Sequence, residues 1–129
     1  MLKALLNHPK TKGLNIDDPR TTALRRDIIR EKPFLRQLYE EWYAGMVRLI
    51  PLREQCAGEV LEIGSGGGFL HEVFPECIAS EIFITPGVVI VLDGQALPFA
   101  DKTLRAILMV DVLHHIPNVE AFFLEAQRV

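Results

Sequence analysis

The clearest pattern of apolar positions lies in the second half of the chain. An apolar run at 60–63 breaks into a glycine-rich turn at 64–68, and a helical period follows at 69–74. Short apolar runs at 78–80, 88–92 and 104–110 predict three further strands, and 119–129 predicts a helix with Phe122, Phe123 and Ala126 inward. Strands separated by crossovers predict an α/β fold with a doubly wound, mostly parallel sheet.

The first half of the chain predicts helices. Asp18-Pro19 is typical of an N-cap followed by a first-turn proline, and Leu24, Ile28 and Ile29 continue at helical spacing. A second helix opens at Pro33 and ends before Pro51. We expect its inward face to carry Phe34, Leu38, Trp42, Met46, Leu49 and Ile50. The chain therefore divides into a segment at 1–55, an arm over 1–16 followed by helices that could cover a pocket, and a sheet domain at 56–129.

Charge is distributed unevenly between these two parts. Residues 1–55 contain eleven Lys and Arg against seven Asp and Glu, whereas residues 56–129 contain three against ten, and the whole chain has a net charge of −3. This indicates either that a basic helical segment lies against an acidic core or that its cations meet an anionic ligand. The candidates for the second role are Arg25, Arg26, Arg30, Lys32 and Arg36. No basic stripe with interleaved aromatic residues indicates nucleic-acid binding.

The composition also argues against several classes of protein. No apolar run approaches the roughly 20 residues of a membrane span, and the N-terminal apolar stretch breaks too soon for a secretory signal. Cys56 and Cys77 have neither the spacing of a metal site nor the density of a disulfide scaffold. We therefore expect a cytoplasmic protein with two reduced, packed thiols and no metal.

The glycine turn is the strongest candidate for a binding site. Glycines at 64, 66 and 68 allow a sharp turn and a close approach of the backbone to a ligand, while the first N–H groups of the next helix face the same place. A dinucleotide site needs a further glycine at the sixth position, where this chain has Phe69. The turn therefore argues against NAD and FAD.

Acidic residues follow the predicted strands. Glu81 ends the second strand, where a carboxylate can accept hydrogen bonds from a ribose diol. Asp93 and Gly94 follow the third strand and would either read an adenine edge or form only a turn. Asp111 closes the fourth. Because ligands of doubly wound sheets lie beyond the carboxyl ends of the strands, we expect 62–66, 81, 93–95 and 110–115 to converge on one crevice.

In this order the motifs resemble those of class I S-adenosylmethionine-dependent methyltransferases, of the broad UbiE/small-molecule methyltransferase type. The residues that carry the resemblance are Glu62-Ile-Gly-Ser-Gly-Gly-Gly-Phe, Leu92-Asp-Gly-Gln-Ala-Leu-Pro-Phe-Ala-Asp, Asp111-Val-Leu-His-His-Ile-Pro-Asn and Glu125-Ala-Gln-Arg-Val. The resemblance covers 58–129. It implies that the sheet domain is a partial, Rossmann-like S-adenosylmethionine-binding domain with strand order 3-2-1-4.

The resemblance implies methyl transfer from S-adenosylmethionine to a small-molecule acceptor, anionic if the basic helices face it. The resemblance also implies which residues contact each part of the cofactor. Glu62 and Asp111 would lie at the methionine end, with Glu62 at the amino group, and Gly64, Ser65 and Gly66 would shape the methionine and ribose site. Glu81 and Ile82 would contact the ribose, and Asp93, Gly94 and Gln95 the adenine. His114 and His115 are candidate general bases, because imidazole titrates near neutrality.

Two departures from the family pattern lead to alternatives. Only 82–87 stand where the family has a full helix, so we expect an open adenine side. The chain stops inside a helical pattern without the family's last three strands, which predicts a C-terminally truncated domain. The alternative function is a catalytically incomplete fragment that binds a cofactor or a partner, with a homodimer formed through the edge of the fourth strand. An NAD-linked enzyme is a third hypothesis, disfavoured by Phe69.

Overall fold

The computed structural model describes residues 12–15 and 18–129, so most of the arm predicted at 1–16 lies outside the described residues. Helix α1 spans Pro19–Glu31 and helix α2 spans Pro33–Val47. The Asp18 side chain caps α1 by accepting a hydrogen bond from the Arg20 N–H at 2.8 Å. No helix within the described ranges is long and apolar enough to cross a membrane.

A four-stranded parallel sheet forms the centre of the molecule. Its strands are β1 (Glu59–Glu62), β2 (Cys77–Glu81), β3 (Ile90–Val91) and β4 (Leu104–Leu108), in the order β3-β2-β1-β4. The short helix α3 (Leu70–Val73) connects β1 to β2, a 3₁₀ turn (Leu113–His115) follows β4, and α4 spans Val119–Arg128. The predicted α/β fold and strand order 3-2-1-4 are confirmed.

Helices cover both faces of this sheet. On one face α1, α2 and α3 pack against Val60 and Cys77 of the sheet. On the other face Phe122 of α4 packs against Leu61, together with Leu97 from the loop before β4. Successive residues of β1 alternate between the two clusters, as the period of a strand requires. Both faces of β1 are therefore buried, and the expected double winding is observed.

Two predicted strands are shorter than their apolar runs. The run at 88–92 forms only the two-residue β3, which pairs with Ser80 and Glu81 at the edge of the sheet, and Val89 is 75% exposed. The run at 104–110 leaves the strand after Leu108. No helix lies between β2 and β3, in line with the shortened connection. A run of apolar residues does not show at which residue an edge strand stops pairing with the neighbouring strand.

The predicted inward face of α2 is correct only in part. Its fully buried residues are Leu35, Tyr39 and Tyr43, whereas Phe34 is 63% exposed and Leu49 is 83% exposed. Trp42, Met46 and Ile50 are partly buried at the margin of the same core. Both sides of this helix carry large apolar or aromatic residues, so the helical period alone did not select the buried one.

Two smaller predictions are also corrected. Phe122 is buried beneath α4, but Phe123 points outward and is 56% exposed, because adjacent residues lie about 100° apart around a helix. Both cysteines are free, but only Cys77 is buried, and Cys56 is exposed. Burial raises the pKa of the Cys77 thiol to about 12, which makes it a packing group rather than a nucleophile.

Candidate functional site

The glycine turn is fixed by its neighbours on both sides. Gly64 has φ +67°, and a Cβ there would collide with the Val112 side chain; a Cβ on Gly68 would collide with the Tyr43 hydroxyl. The Ser65 N–H and hydroxyl both donate to the Ser80 carbonyl of β2, at 2.9 and 3.1 Å. The turn therefore requires glycine at these two positions and has little freedom to move.

A cavity of about 450 Å³ opens at the carboxyl ends of the strands. It lies where the topology of a parallel sheet places a ligand. Residues proposed from the sequence that line it are Glu62, Gly64, Ser65, Gly66, Glu81, Ile82, Asp93, Gly94, Asp111 and His115. The predicted convergence on one crevice is therefore observed.

Gln95 and His114 are not among the residues that line this cavity. Gln95 instead binds the Asp93 carboxylate through its backbone N–H at 2.8 Å and its amide, and its side-chain oxygen accepts from the Asn118 N–H at 3.0 Å. His114 lies with Nδ1 3.5 Å from the Asp111 carboxylate. Both side chains contact wall residues from outside the cavity.

Glu62 is the most unusual group in the wall. Its residue is only 3% exposed, and its Oε2 is buried without a hydrogen-bond partner among the described residues. Burial, followed by the nearby Glu81 carboxylate, raises the pKa of Glu62 to about 7, and the Arg26 charge opposes this shift. A buried, unsatisfied carboxylate costs free energy unless a donor or cation meets it. A ligand in the cavity that carries a donor or a cation would satisfy this oxygen.

Glu81 is better satisfied than Glu62. Its carboxylate accepts hydrogen bonds from its neighbour's backbone, the Ile82 N–H at 2.7 Å, and from the Gly66 N–H. Burial raises the pKa of Glu81, while these two hydrogen bonds lower it. The same carboxylate lies beside the glycine turn, since a Cβ on Gly66 would be 3.0 Å from its Oε1. Glu81 is thus held in place at the turn and lines the cavity there.

Asp111 occupies a strained backbone position. It has φ +57°, a conformation that non-glycine residues rarely adopt, although Asp tolerates it better than most. It follows β4 and directs the chain into the 3₁₀ turn that brings His115 to the cavity. Strained residues of this kind are concentrated at functional sites.

Helices α1 and α2 supply the outer wall, which the sequence did not identify residue by residue. Thr22, Arg25 and Ile29 come from α1, and Tyr39 and Tyr43 come from α2. The Tyr43 hydroxyl accepts a hydrogen bond from the Phe69 N–H at 3.2 Å, and burial raises the pKa of this phenol. No spacing in the sequence indicates these contacts, because they depend on how the helices pack over the turn.

The basic residues of the helical segment mostly serve packing. Arg30 pairs with Glu72, Arg36 pairs with Glu40 and lies 4.0 Å from Glu72, and Arg26 donates to the Gly66 and Pro86 carbonyls. These contacts join the basic segment to the acidic domain, as the first explanation of the charge pattern expected. Arg25 alone of the five candidate cations lines the cavity.

The charges of the wall favour a cationic ligand. Four carboxylates, those of Glu62, Glu81, Asp93 and Asp111, stand against the cation of Arg25 and an imidazole at His115. Phe69, at the position where dinucleotide sites have glycine, is 1% exposed and packs against Tyr39 and Tyr43. A pyrophosphate would meet acidic side chains here, so the wall suits a phosphate-free molecule.

A comparison with protein families identifies the second half of the chain. A family model described as a methyltransferase domain matches residues 61–129, just over half of the sequence. Neither a curated protein nor a solved structure matches the chain significantly. The matched residues contain the second half of β1, the glycine turn, the other three strands and all four cavity carboxylates. The chain therefore belongs to the methyltransferase domain family.

Proposed function

We propose that this chain binds S-adenosylmethionine in the cavity and transfers its methyl group to a small-molecule acceptor, in the manner of the UbiE/small-molecule type. The observation that carries the proposal is the convergence of the glycine turn with Glu62, Glu81 and Asp93 on one cavity. Family membership supports methyl transfer, and the acidic wall supports a cationic methyl donor.

The residues present fit this cofactor. The unpartnered Glu62 oxygen would receive the methionine ammonium, and Glu81 would receive the ribose hydroxyls. Asp93 and Gly94 would face the adenine, with the Asp93 carboxylate oriented by Gln95. Hydrogen bonds that involve an ionised group are about twice as strong as neutral ones. Three carboxylates would thus hold three different parts of one molecule.

The sulfonium of the bound cofactor supplies an activated methyl group for in-line displacement. The protein's own residues bind, orient and exclude water, and these effects account for most of what such a reaction needs. Tyr39, Tyr43 and Ile29 contribute aromatic and apolar surface to the outer wall. His115, which lines the cavity, is the candidate to accept a proton from the acceptor, whereas His114 would act only through Asp111.

Isothermal titration with S-adenosylhomocysteine tests the proposal. We expect binding to the wild type and an affinity lower by roughly 10- to 100-fold for Glu81→Gln, which loses charge-assisted hydrogen bonds. Glu120→Gln, on the exposed first turn of α4, is the matched control and should bind normally. Absence of binding to folded wild-type protein, or tighter binding of NADH, would contradict the assignment.

The edge of β4 that faces away from β1 supports a second candidate function, a partner-binding module. At its first residue this edge is occupied, since the Leu104 N–H donates to the Val129 carbonyl at 2.8 Å. β4 pairs only with β1 among the described strands, and an open groove of about 680 Å³ beside its end is lined by apolar residues including Trp42, Met46 and Met109. We infer that the partner is a second copy, since a two-fold axis at this edge would pair β4 antiparallel with itself. Sedimentation velocity should then reveal a concentration-dependent dimer that Ile107→Pro abolishes, because the alternation of the strand turns the Ile107 N–H away from β1. A compact monomer at all concentrations would eliminate this candidate.

A further inference from the structure

The cations of the helical segment are not equivalent. Arg26 is bound to two backbone carbonyls, Arg30 is paired with Glu72, and Arg36 is paired with Glu40 and lies over the Phe69 ring. Arg25 differs from these three because it lines the cavity and forms no ion pair with another described residue. Its guanidinium is therefore the available cation in the wall.

Tyr39 stands on the neighbouring helix with a hydroxyl that is also available. Its ring is fixed by Trp42, Tyr43 and Phe69, with centroid distances of 5.3–6.2 Å, and the residue is 7% exposed. Within the part of the chain that the structure describes, its hydroxyl forms no hydrogen bond. The residue lines the same cavity as Arg25. A rigid donor without a partner thus faces the ligand space.

Electrostatics link these two residues. Burial raises the pKa of the Tyr39 phenol, the Asp111 carboxylate raises it further, and the Arg25 charge lowers it. This direction agrees with the geometry, because both residues line the same cavity. The Arg25 Cβ lies 3.4 Å from where a Cβ on Gly67 would be, and the Tyr39 ring packs against Phe69, so both residues stand beside the glycine turn.

We propose that Arg25 and Tyr39 form a carboxylate-binding subsite in the wall of the cavity. The guanidinium presents parallel donors that match the two oxygens of a carboxylate, and the phenol O–H adds another donor. This deepens the proposed function, on which it rests for the identity of the ligand. The carboxylate belongs either to the methionine part of the cofactor or to the methyl acceptor.

Three probes distinguish these sources. S-adenosylhomocysteine carries the amino-acid carboxylate, 5′-methylthioadenosine lacks it, and benzoate represents an acceptor carboxylate. Each is titrated calorimetrically into the wild type, Arg25→Gln and Arg25→Lys, and benzoate is titrated into both free and S-adenosylhomocysteine-saturated protein. Arg30→Gln, one turn further along α1 in an exposed ion pair, is the matched control. Melting temperatures check that the variants fold.

If the subsite binds the carboxylate of the cofactor, Arg25→Gln should lose on the order of tenfold or more in affinity for S-adenosylhomocysteine and little in affinity for 5′-methylthioadenosine. If the subsite binds the carboxylate of the acceptor, Arg25→Gln should bind both nucleosides as the wild type does but lose benzoate binding. Arg25→Lys should retain part of either affinity, because lysine keeps the positive charge but lacks the parallel N–H donors of the guanidinium. Unchanged binding of every probe by Arg25→Gln, or losses matched by Arg30→Gln, would overturn the subsite.

This experiment also separates the subsite from the proposed function. If the wild type binds neither nucleoside, the cofactor assignment fails. Benzoate binding to the ligand-free protein then still decides the inference: an Arg25-dependent affinity supports it, and no benzoate binding overturns it.

Discussion

The carboxylates of the cavity differ in how well the protein satisfies them. Backbone N–H groups bind Glu81, and Gln95 binds Asp93, whereas one oxygen of Glu62 has no partner among the described residues. Sequence position alone made the three residues look alike, since each follows or ends a predicted strand. Only the packing of β1 between its neighbours, which buries Glu62, separates their roles.

Glu62→Gln should stabilise the ligand-free protein at neutral pH. The raised pKa of about 7 means that the folded state holds a proton that the unfolded state releases, so wild-type stability falls as pH rises from about 4.5 to 7. Glutamine removes this dependence and should gain up to about 3 kcal/mol above that window. Urea unfolding at pH 5 and pH 8 measures the difference.

Glu59→Gln is the control for this experiment, because Glu59 lies on the same strand but its side chain is 51% exposed and paired with Arg53. The free energy of unfolding of Glu59→Gln, relative to that of the wild type, should not increase from pH 5 to pH 8. Equal pH dependence of Glu62→Gln and the wild type would show that Glu62 remains ionised in the folded protein.

Asp111 allows its backbone strain to be separated from its charge. Both Asp111→Gly and Asp111→Ala remove the carboxylate, but only glycine adopts φ +57° without steric cost. We expect the glycine variant to be more stable by about 1–2 kcal/mol. Chemical denaturation of both variants provides the measurement. Asp101 is the control because it does not have a positive φ. There the alanine variant should be at least as stable as the glycine variant. If alanine were also at least as stable as glycine at Asp111, the backbone strain would be refuted.

At the scale of elements, α1 connects two loops that border the cavity. Arg26 donates to the Gly66 carbonyl at 2.6 Å and to the Pro86 carbonyl, so one side chain bridges the glycine turn and the β2–β3 connection. The Gly66 N–H in turn donates to Glu81. The sequence placed Arg26 in a basic cluster but could not assign these contacts, which span 40 and 60 residues.

Arg26→Ala should loosen both loops without unfolding the sheet. We expect faster amide hydrogen exchange at 64–68 and 82–87, with unchanged protection in β1, because the bridge is local and the core does not depend on it. Exchange measured by mass spectrometry on the ligand-free protein reports this. Free guanidinium at millimolar concentration should partly restore protection, and Arg30→Ala should exchange like the wild type. Loss of protection throughout Arg26→Ala, including β1, would mean that Arg26 stabilises the whole fold and not only the two loops.

At the scale of the whole molecule, the uneven charge distribution becomes a set of contacts between the two parts of the chain. Glu72 of α3 meets Arg30 and Arg36 from the helical segment, and Glu76 meets Arg53. The side chains of Glu72 and its partners are 38–48% exposed. Exposed pairs of this kind contribute little individually and are screened by salt.

Glu72→Gln should therefore reduce the free energy of unfolding by about 1 kcal/mol or less at low salt, and the loss should vanish in about 1 M NaCl. Urea unfolding at both salt concentrations measures this. Glu40→Gln removes only an i,i+4 pair within α2 and should lose about half as much. A salt-independent loss for Glu72→Gln would indicate a packing role for that side chain.

The sequence indicated the strands, the glycine turn and the meeting of strand-end acids through the local period of apolar residues and the geometry shared by all parallel sheets, while the order of the strands followed from the family resemblance. It did not determine which side of α2 is buried, where β3 loses its partner, or which histidine reaches the cavity. Those outcomes were decided by the tertiary structure. Burial, the donors that meet each carboxylate, and the positions of Arg25, Arg26 and Tyr39 arise from contacts between residues far apart in the chain, which no local pattern encodes.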